Sequence, residues 1–359
     1  MNEPIFIARQ DTLEQEILPA HWLAQYKLFG EESYTFQDKG IWKKLCMSSA
    51  AANDRDMHAE ALEEMLTTFS AEHTGKWMLL VYGMDAAALE GLATMAAIAA
   101  NGTAMGAVVD NALLMHAIAN SETAMQRIAN SQTAMQRVAN NRGAMDAIGR
   151  SRIARDAVQA SPYYNSCIKE NDMAIAKLAV ALANLESAGY SGMAGVAADS
   201  TAMTAVAASS TAMTAVAASG VALKAIAQAY KKTANMLQFL KAVNASDTLI
   251  KRIYNTLTGA TGLFGATQLG GQDSVESANS WATTSAAPNA FLACACGYYS
   301  SGGSSVNVTY NGTVIAQNKT GAKQPGSVTS TNVNAITMAP STFTENGDGW
   351  LAVQKFTVK

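Results

Sequence analysis

The sequence predicts a multidomain α+β chain in four parts: an N-terminal domain over residues 1–90, a shaft of short stacked helices over 91–258, a Gly/Ser/Thr-rich neck over 259–285 and a small β-sandwich-like module over 286–359. Three observations predict it. An Ala/Met unit recurs every ten residues, a helix-capping residue recurs at the same interval, and the last part of the chain alternates polar and apolar residues around an Asn-Gly pair.

Residues 1–90 are set apart by composition, with Trp22, Trp42 and Trp77 where the following stretch is alanine-rich. Asp11–Ile17 has the pattern of a capped first helical turn, and His58–Met65 that of an amphipathic helix.

The repeat then begins. Methionine stands at Met95, Met105, Met115, Met125, Met135 and Met145, each followed three residues later by an aliphatic partner, Ile98, Val108, Ile118, Ile128, Val138 or Ile148. Arg155 and Asn165 replace the methionine in a degenerate continuation that keeps Val158 and Ile168. The unit restarts in a new register at Met193, Met203, Met213 and Leu223.

Four residues before these positions lie Asn101, Asn111, Ser121, Ser131, Asn141, Ser151 and Ser161, then Asp199, Ser209 and Ser219. Such side chains accept hydrogen bonds from the free N–H groups of a first helical turn, so a cap every ten residues predicts a new helix every ten residues. Asn120, Asn130 and Asn140, just before a cap, suit the left-handed conformation that closes a helix. A single continuous helix fails on geometry, because ten residues leave the apolar stripe about 80° out of phase per repeat. Two-turn helices are unstable alone and must stack, burying Met105, Met115, Met125, Met135, Met145, Met203 and Met213. A methionine stripe also suits a promiscuous groove or a soft-metal site, but the strict period without clustered His or Cys favours core packing.

Between the arrays, 169–188 reads as a longer helix, and Ser246–Ile253 repeats the unit's spacing once more. After the neck, Val306–Tyr310 and Thr313–Gln317 flank Asn311-Gly312 and predict a type I′ hairpin. Phe291–Tyr299, Asn334–Met338 and Trp350–Val358 are further strand candidates.

A net charge of −3 and a pI near 5.9 give no reason to expect nucleic-acid binding. No apolar run is long enough to span a bilayer, and the first residues lack a secretory pattern, so cytoplasmic synthesis is expected. Five Asn-x-Ser/Thr matches, at Asn101, Asn244, Asn307, Asn311 and Asn318, are then coincidental. Cys46, Cys167, Cys294 and Cys296 are too scattered for a disulfide framework and read as reduced.

Catalytic patterns find no support. His58-Ala-Glu60 lacks the Pro-Cys-x-x-Cys partner of zinc deaminases, Cys294-Ala-Cys296 lacks further zinc ligands, and the pair Glu345 and Asp348 reads as a solvated turn. No enzyme activity, cofactor or metal is expected.

The opening Pro4–Glu14 and the decapeptides, typified by Ser-Ser-Thr-Ala-Met-Thr-Ala-Val-Ala-Ala at 209–218, resemble bacteriophage tail-fibre and whisker-type virion proteins. The resemblance covers about half the chain. It implies a structural virion protein, a homo-oligomer, commonly a trimer, held to other tail, collar or baseplate proteins through residues 1–90. The alternative is an adhesin in which the repeat is only a stalk and the terminal module binds host surface glycan or protein. For that role the Tyr- and Asn-rich terminal region offers Tyr298, Tyr299 and Tyr310 as aromatic contacts.

Overall fold

The computed structural model describes residues 95–120, 122–271, 289–298, 305–319, 327–346 and 349–359. The domain expected over 1–90, the cap expected at Ser121, and Tyr299 and Asp348 lie outside the described residues. The chain is mixed helix and antiparallel sheet, and it divides into two compact units between Ile168 and Lys169.

In the first unit each decapeptide is one short helix: α1 Met95–Ala100, α2 Gly102–Asp110, α3 Ala112–Ala119, α4 Glu122–Ala129, α5 Gln132–Ala139, α6 Arg142–Arg150 and α7 Arg152–Ala160. A single extended residue at the cap position turns the chain, as at Ser131 (φ −117°, ψ 119°) and Asn141 (φ −109°, ψ 120°). This residue serves both helices. The Ser131 amide donates to the Ile128 carbonyl at 3.0 Å, closing α4, while its carbonyl accepts from the Met135 amide at 2.9 Å, opening α5.

The left-handed closure expected at Asn140 does not occur. Asn140 stays right-handed (φ −94°, ψ −1°), because the extended residue after it already makes the turn. Asn120 instead uses its side chain, donating from Nδ2 to the His116 carbonyl at 3.1 Å.

Each helix packs on the third one after it: α1 on α4, α2 on α5, α3 on α6 and α4 on α7. Three decapeptides therefore make one turn. Met105, Met115, Met125, Met135 and Met145 are fully buried with Val108, Ile118, Ile128, Val138 and Ile148. At the first degenerate position Arg155 turns aside to donate from Nη1 to the Gly149 carbonyl, and Val158 keeps its buried place. A π-helical turn, Tyr164–Lys169, buries Cys167 and Ile168 and leads into the second unit.

The second unit contains α8 Asp172–Leu182, α9 Met193–Ala198, α10 Ser200–Ala208, α11 Ser210–Ala217, α12 Gly220–Gln228, α13 Thr233–Asn244 and α14 Asp247–Gly259. α11 and α12 meet at 96°, which rules out one continuous helix there. Ile175 occupies the methionine position, yet Met193 follows it by 18 residues where ten would keep register. The extra chain after α8 is stapled down. The fully buried Lys177 donates from Nζ to the Ser187 carbonyl at 3.0 Å, and the Leu185 amide reaches the Val180 carbonyl at 3.1 Å. Asp172 Oδ1 accepts from the Met193 amide at 3.0 Å, so a carboxylate from α8 caps α9. Stacking continues past the interruption, α8 on α11, α9 on α12, α10 on α13 and α11 on α14.

Among the described residues seven strands follow: β1 Phe264–Gly271, β2 Ala290–Tyr298, β3 Ser305–Tyr310, β4 Thr313–Lys319, β5 Ala335–Met338, β6 Ser341–Asn346 and β7 Gly349–Val358. They form antiparallel sheets of order β1-β7-β2-β5 and β4-β3-β6. The Asn311-Gly312 turn has positive φ at both residues, 45° and 78°, as a type I′ hairpin requires.

The strands lie against the last helices, α12 on β7, α13 on β4 and β5, and α14 on β1 and β5. Phe239 meets Phe291 at 6.4 Å between ring centroids, and Tyr254 meets Phe356 edge-on at 5.9 Å. The reason is physical: a stack of two-turn helices ends on an apolar face that the next layer would have covered, and here sheet covers it. Met203 and Met213 belong to the same continuous core as Phe291 and Phe356. The unit boundary thus falls inside the range 91–258 assigned to one shaft, and β1 lies within the range 259–285 assigned to a neck.

Asn244 completes the join. Its Oδ1 accepts from the Ile336 amide at 3.1 Å and its Nδ2 donates to the Ile336 carbonyl at 2.7 Å, so a side-chain amide pairs with edge strand β5 as a neighbouring strand would. Buried and fully engaged, Asn244 presents no glycan acceptor.

Candidate functional site

The recurring chemical feature is the corner between helices. Ser131 Oγ accepts from the Ala134 amide at 3.3 Å and donates to the Ala99 carbonyl at 2.5 Å. A hydroxyl has one donor and two acceptor sites, so one serine satisfies a free amide of its own helix and a free carbonyl of the turn below. Ser151 repeats this with Ala154 and Ala119, and Ser161 donates to Ala129, always across 32 residues. At Asn141 the same work is divided: Oδ1 accepts from Ala144 at 2.9 Å while Nδ2 donates to Asp110 Oδ1 at 2.9 Å.

In the second unit Ser209 caps Ala212 and donates to the Leu182 carbonyl at 2.9 Å, and Ser219 caps Ala222 and donates to the Lys169 carbonyl at 2.6 Å. Gly220 follows with little space. An added Cβ would meet Leu263 Cδ1 at 3.0 Å and Ala260 Cβ at 3.1 Å.

The sequence reading found these serines by their cap spacing but missed their second partners. The signal was present: Ser131, Ser151 and Ser161 each follow an alanine, Ala99, Ala119 or Ala129, by 32 residues, three repeats and two residues.

Outward-facing residues differ between the two arrays. The first exposes Glu122, Arg127, Arg137, Arg142, Arg150, Arg152 and Asp156, with Arg152 and Asp156 paired at 3.6 Å. The second exposes Ser200, Thr201, Thr204, Ser210, Thr211 and Thr214, a surface without charge. Asp199 carries a charge at its border. It caps α10 through Thr201 and Ala202 and accepts from the Tyr190 hydroxyl at 2.9 Å. Those bonds, the Ala202 amide foremost, hold its carboxyl below the usual carboxylate range.

Of the three tyrosines read as receptor contacts, Tyr310 is excluded by its position. The residue is 2% exposed, and burial raises the pKa of its hydroxyl. Strand alternation turned Val306, Val308 and Tyr310 inward together. Tyr298 ends β2, and only its backbone is described.

Cys294 and Cys296 are buried on β2 and form no disulfide, and burial pushes the Cys294 thiol well up, which disfavours the reactive thiolate. Cys296 Sγ donates to the Lys319 carbonyl and accepts from Asn334 Nδ2. Among the described residues no group of three or more His, Cys, Asp or Glu is placed to hold a metal, and no single helix is long and apolar enough to cross a membrane.

These features define a helical-repeat chain whose second array is closed by antiparallel sheet. No family model matches the sequence, and no curated protein matches it.

Proposed function

We propose that the chain is a structural, non-enzymatic component of a bacteriophage particle, a tail, collar or whisker fibre in which the decapeptide arrays form the shaft and the two sheets a sandwich-like tip. The observation that supports this reading most is the corner ladder. At Ser131, Ser151 and Ser161 its hydrogen bonds fasten one turn of the first array to the turn below, which suits a load-bearing element. Residues 1–90 are assigned to attachment on tail, collar or baseplate proteins, and the product is made in the host cytoplasm and incorporated in the virion.

The fibre is a homo-oligomer, a trimer by the resemblance of its repeats. The uncharged Ser/Thr face of the second array supports self-association, since identical copies meet there without like-charge repulsion. Mass spectrometry of purified particles tests the assignment: the chain present at a fixed copy number per particle supports it, and its absence from particles rejects it. Light scattering at the mass of one 37.6 kDa chain at all concentrations rejects the oligomer. The stalk-and-adhesin alternative keeps the same fold but loses Tyr310 as a contact. Unaltered adsorption of particles lacking 286–359 leaves the sheets as a structural closure.

A further inference from the structure

We propose that Asn311 is a site of spontaneous backbone-assisted deamidation, and that the fold selects it over the other fully described Asn-Gly pair, Asn101-Gly102. The chemistry needs a free asparagine side chain, an unencumbered amide nitrogen on the next residue, and room for a five-membered ring.

Asn311 meets all three. It is exposed at the tip of the β3–β4 hairpin, and among the described residues neither its side chain nor the Gly312 amide has a hydrogen-bond partner. A Cβ built on Gly312 would find nothing within 4 Å, so water and base reach the turn. Asn101 differs at each point. Its Oδ1 accepts from the amides of Thr103 and Ala104, both at 3.0 Å, which fixes the side chain as the cap of α2. Gly102 is held at the first helical position with the Arg137 guanidinium beside it. Asn307 and Asn318, on the same hairpin, are followed by Val308 and Lys319, and Asn307 Oδ1 is engaged by the Asn318 amide at 2.8 Å.

In the first step the Gly312 amide gives its proton to a solvent base, and its nitrogen attacks Asn311 Cγ. A C–N bond forms, the Cγ–Nδ2 bond breaks, and Nδ2 takes up one proton from water and leaves as ammonia. Water then opens the cyclic imide at one carbonyl to give aspartate or at the other to give isoaspartate. Nothing is oxidised or reduced. Aspartate tolerates the positive φ of 45° at this position, whereas isoaspartate inserts an extra backbone carbon into a two-residue turn and breaks its register.

The test is peptide mapping of the full chain after incubation at alkaline pH, folded and in denaturant. The expected result in the folded chain is conversion at Asn311 that quickens as pH rises, with Asn101 unconverted. In denaturant both pairs convert at similar rates. No conversion at Asn311 in the folded chain, or the same Asn311-to-Asn101 ratio with and without denaturant, overturns the proposal. Asn311→Gln provides a second check, since the longer side chain disfavours the ring: the hairpin peptide then shows no conversion, and persistent conversion at that position counts against the assignment.

Discussion

The Ser131 hydroxyl lies 2.5 Å from the Ala99 carbonyl, 32 residues earlier in the chain, while the same oxygen caps the Ala134 amide. One atom thus fastens two turns. Ser131→Ala removes both bonds and is expected to cost about 1–3 kcal/mol, from the lost cap and the unsatisfied carbonyl. Ser131→Asp keeps the cap acceptor but sets a second acceptor against Ala99. Hydrogen exchange at the amides of α4 and α5 reads the difference. Ser131→Asp as protected as the parent would show that the bond between turns contributes nothing.

Met135 is fully buried and its neighbour Gln136 exposed. Met135→Ala is expected to destabilise the first unit by about 2–5 kcal/mol, whereas Gln136→Ala stays within about 0.5 kcal/mol. Thermal melts followed by circular dichroism compare the two. Equal effects would mean that the methionine stripe is not the core.

At the register break, a Cβ on Gly192 would collide with Asp172 Oδ2, the carboxylate whose other oxygen caps Met193. Gly192→Ala should therefore displace that carboxylate and release the cap. Combined with Asp172→Ala the losses should be less than additive, because the second change removes the clash. Strict additivity in a double-mutant cycle would separate the two residues.

Asp199 supplies a pH dependence whose sign is fixed. Its folded pKa is lowered, chiefly by the Ala202 amide and then by Tyr190. It therefore stabilises the folded chain above the unfolded value of about 3.9, and the contribution is lost as pH falls through the lower folded value. Melting temperatures of parent and Asp199→Asn should differ most near neutrality and converge below about pH 4. A gap that widens on acidification would contradict this.

Much of the helical array was legible because its signals are local. A cap such as Ser131 and a buried face such as Met135 and Val138 lie within one decapeptide, and the Asn311-Gly312 turn lies between two alternating strands. What escaped depends on partners distant in sequence. β1, Phe-Gly-Ala-Thr-Gln-Leu-Gly-Gly, reads as a linker by composition and becomes a strand by pairing with β7 some 90 residues on, Phe264 opposite Val358. Tyr310 resembles a contact residue by type and is buried because strand alternation places it inside with Val306 and Val308. The stacking interval of three repeats was invisible in a single unit, since each unit carries the same face.

That interval is the central claim, and one distance tests it. Exposed Gln126 on α4 and Asp156 on α7 occupy equivalent positions 30 residues apart on stacked helices. Spin labels at these two positions, with Cys46 replaced by serine and the described native cysteines buried, are measured by pulsed electron resonance beside the pairs 126/136 and 126/146. Stacked helices place 126 and 156 about 10 Å apart at the backbone, the shortest separation of the three. A continuous helix would place them about 45 Å apart, the longest of the three, and that result would contradict the fold described here.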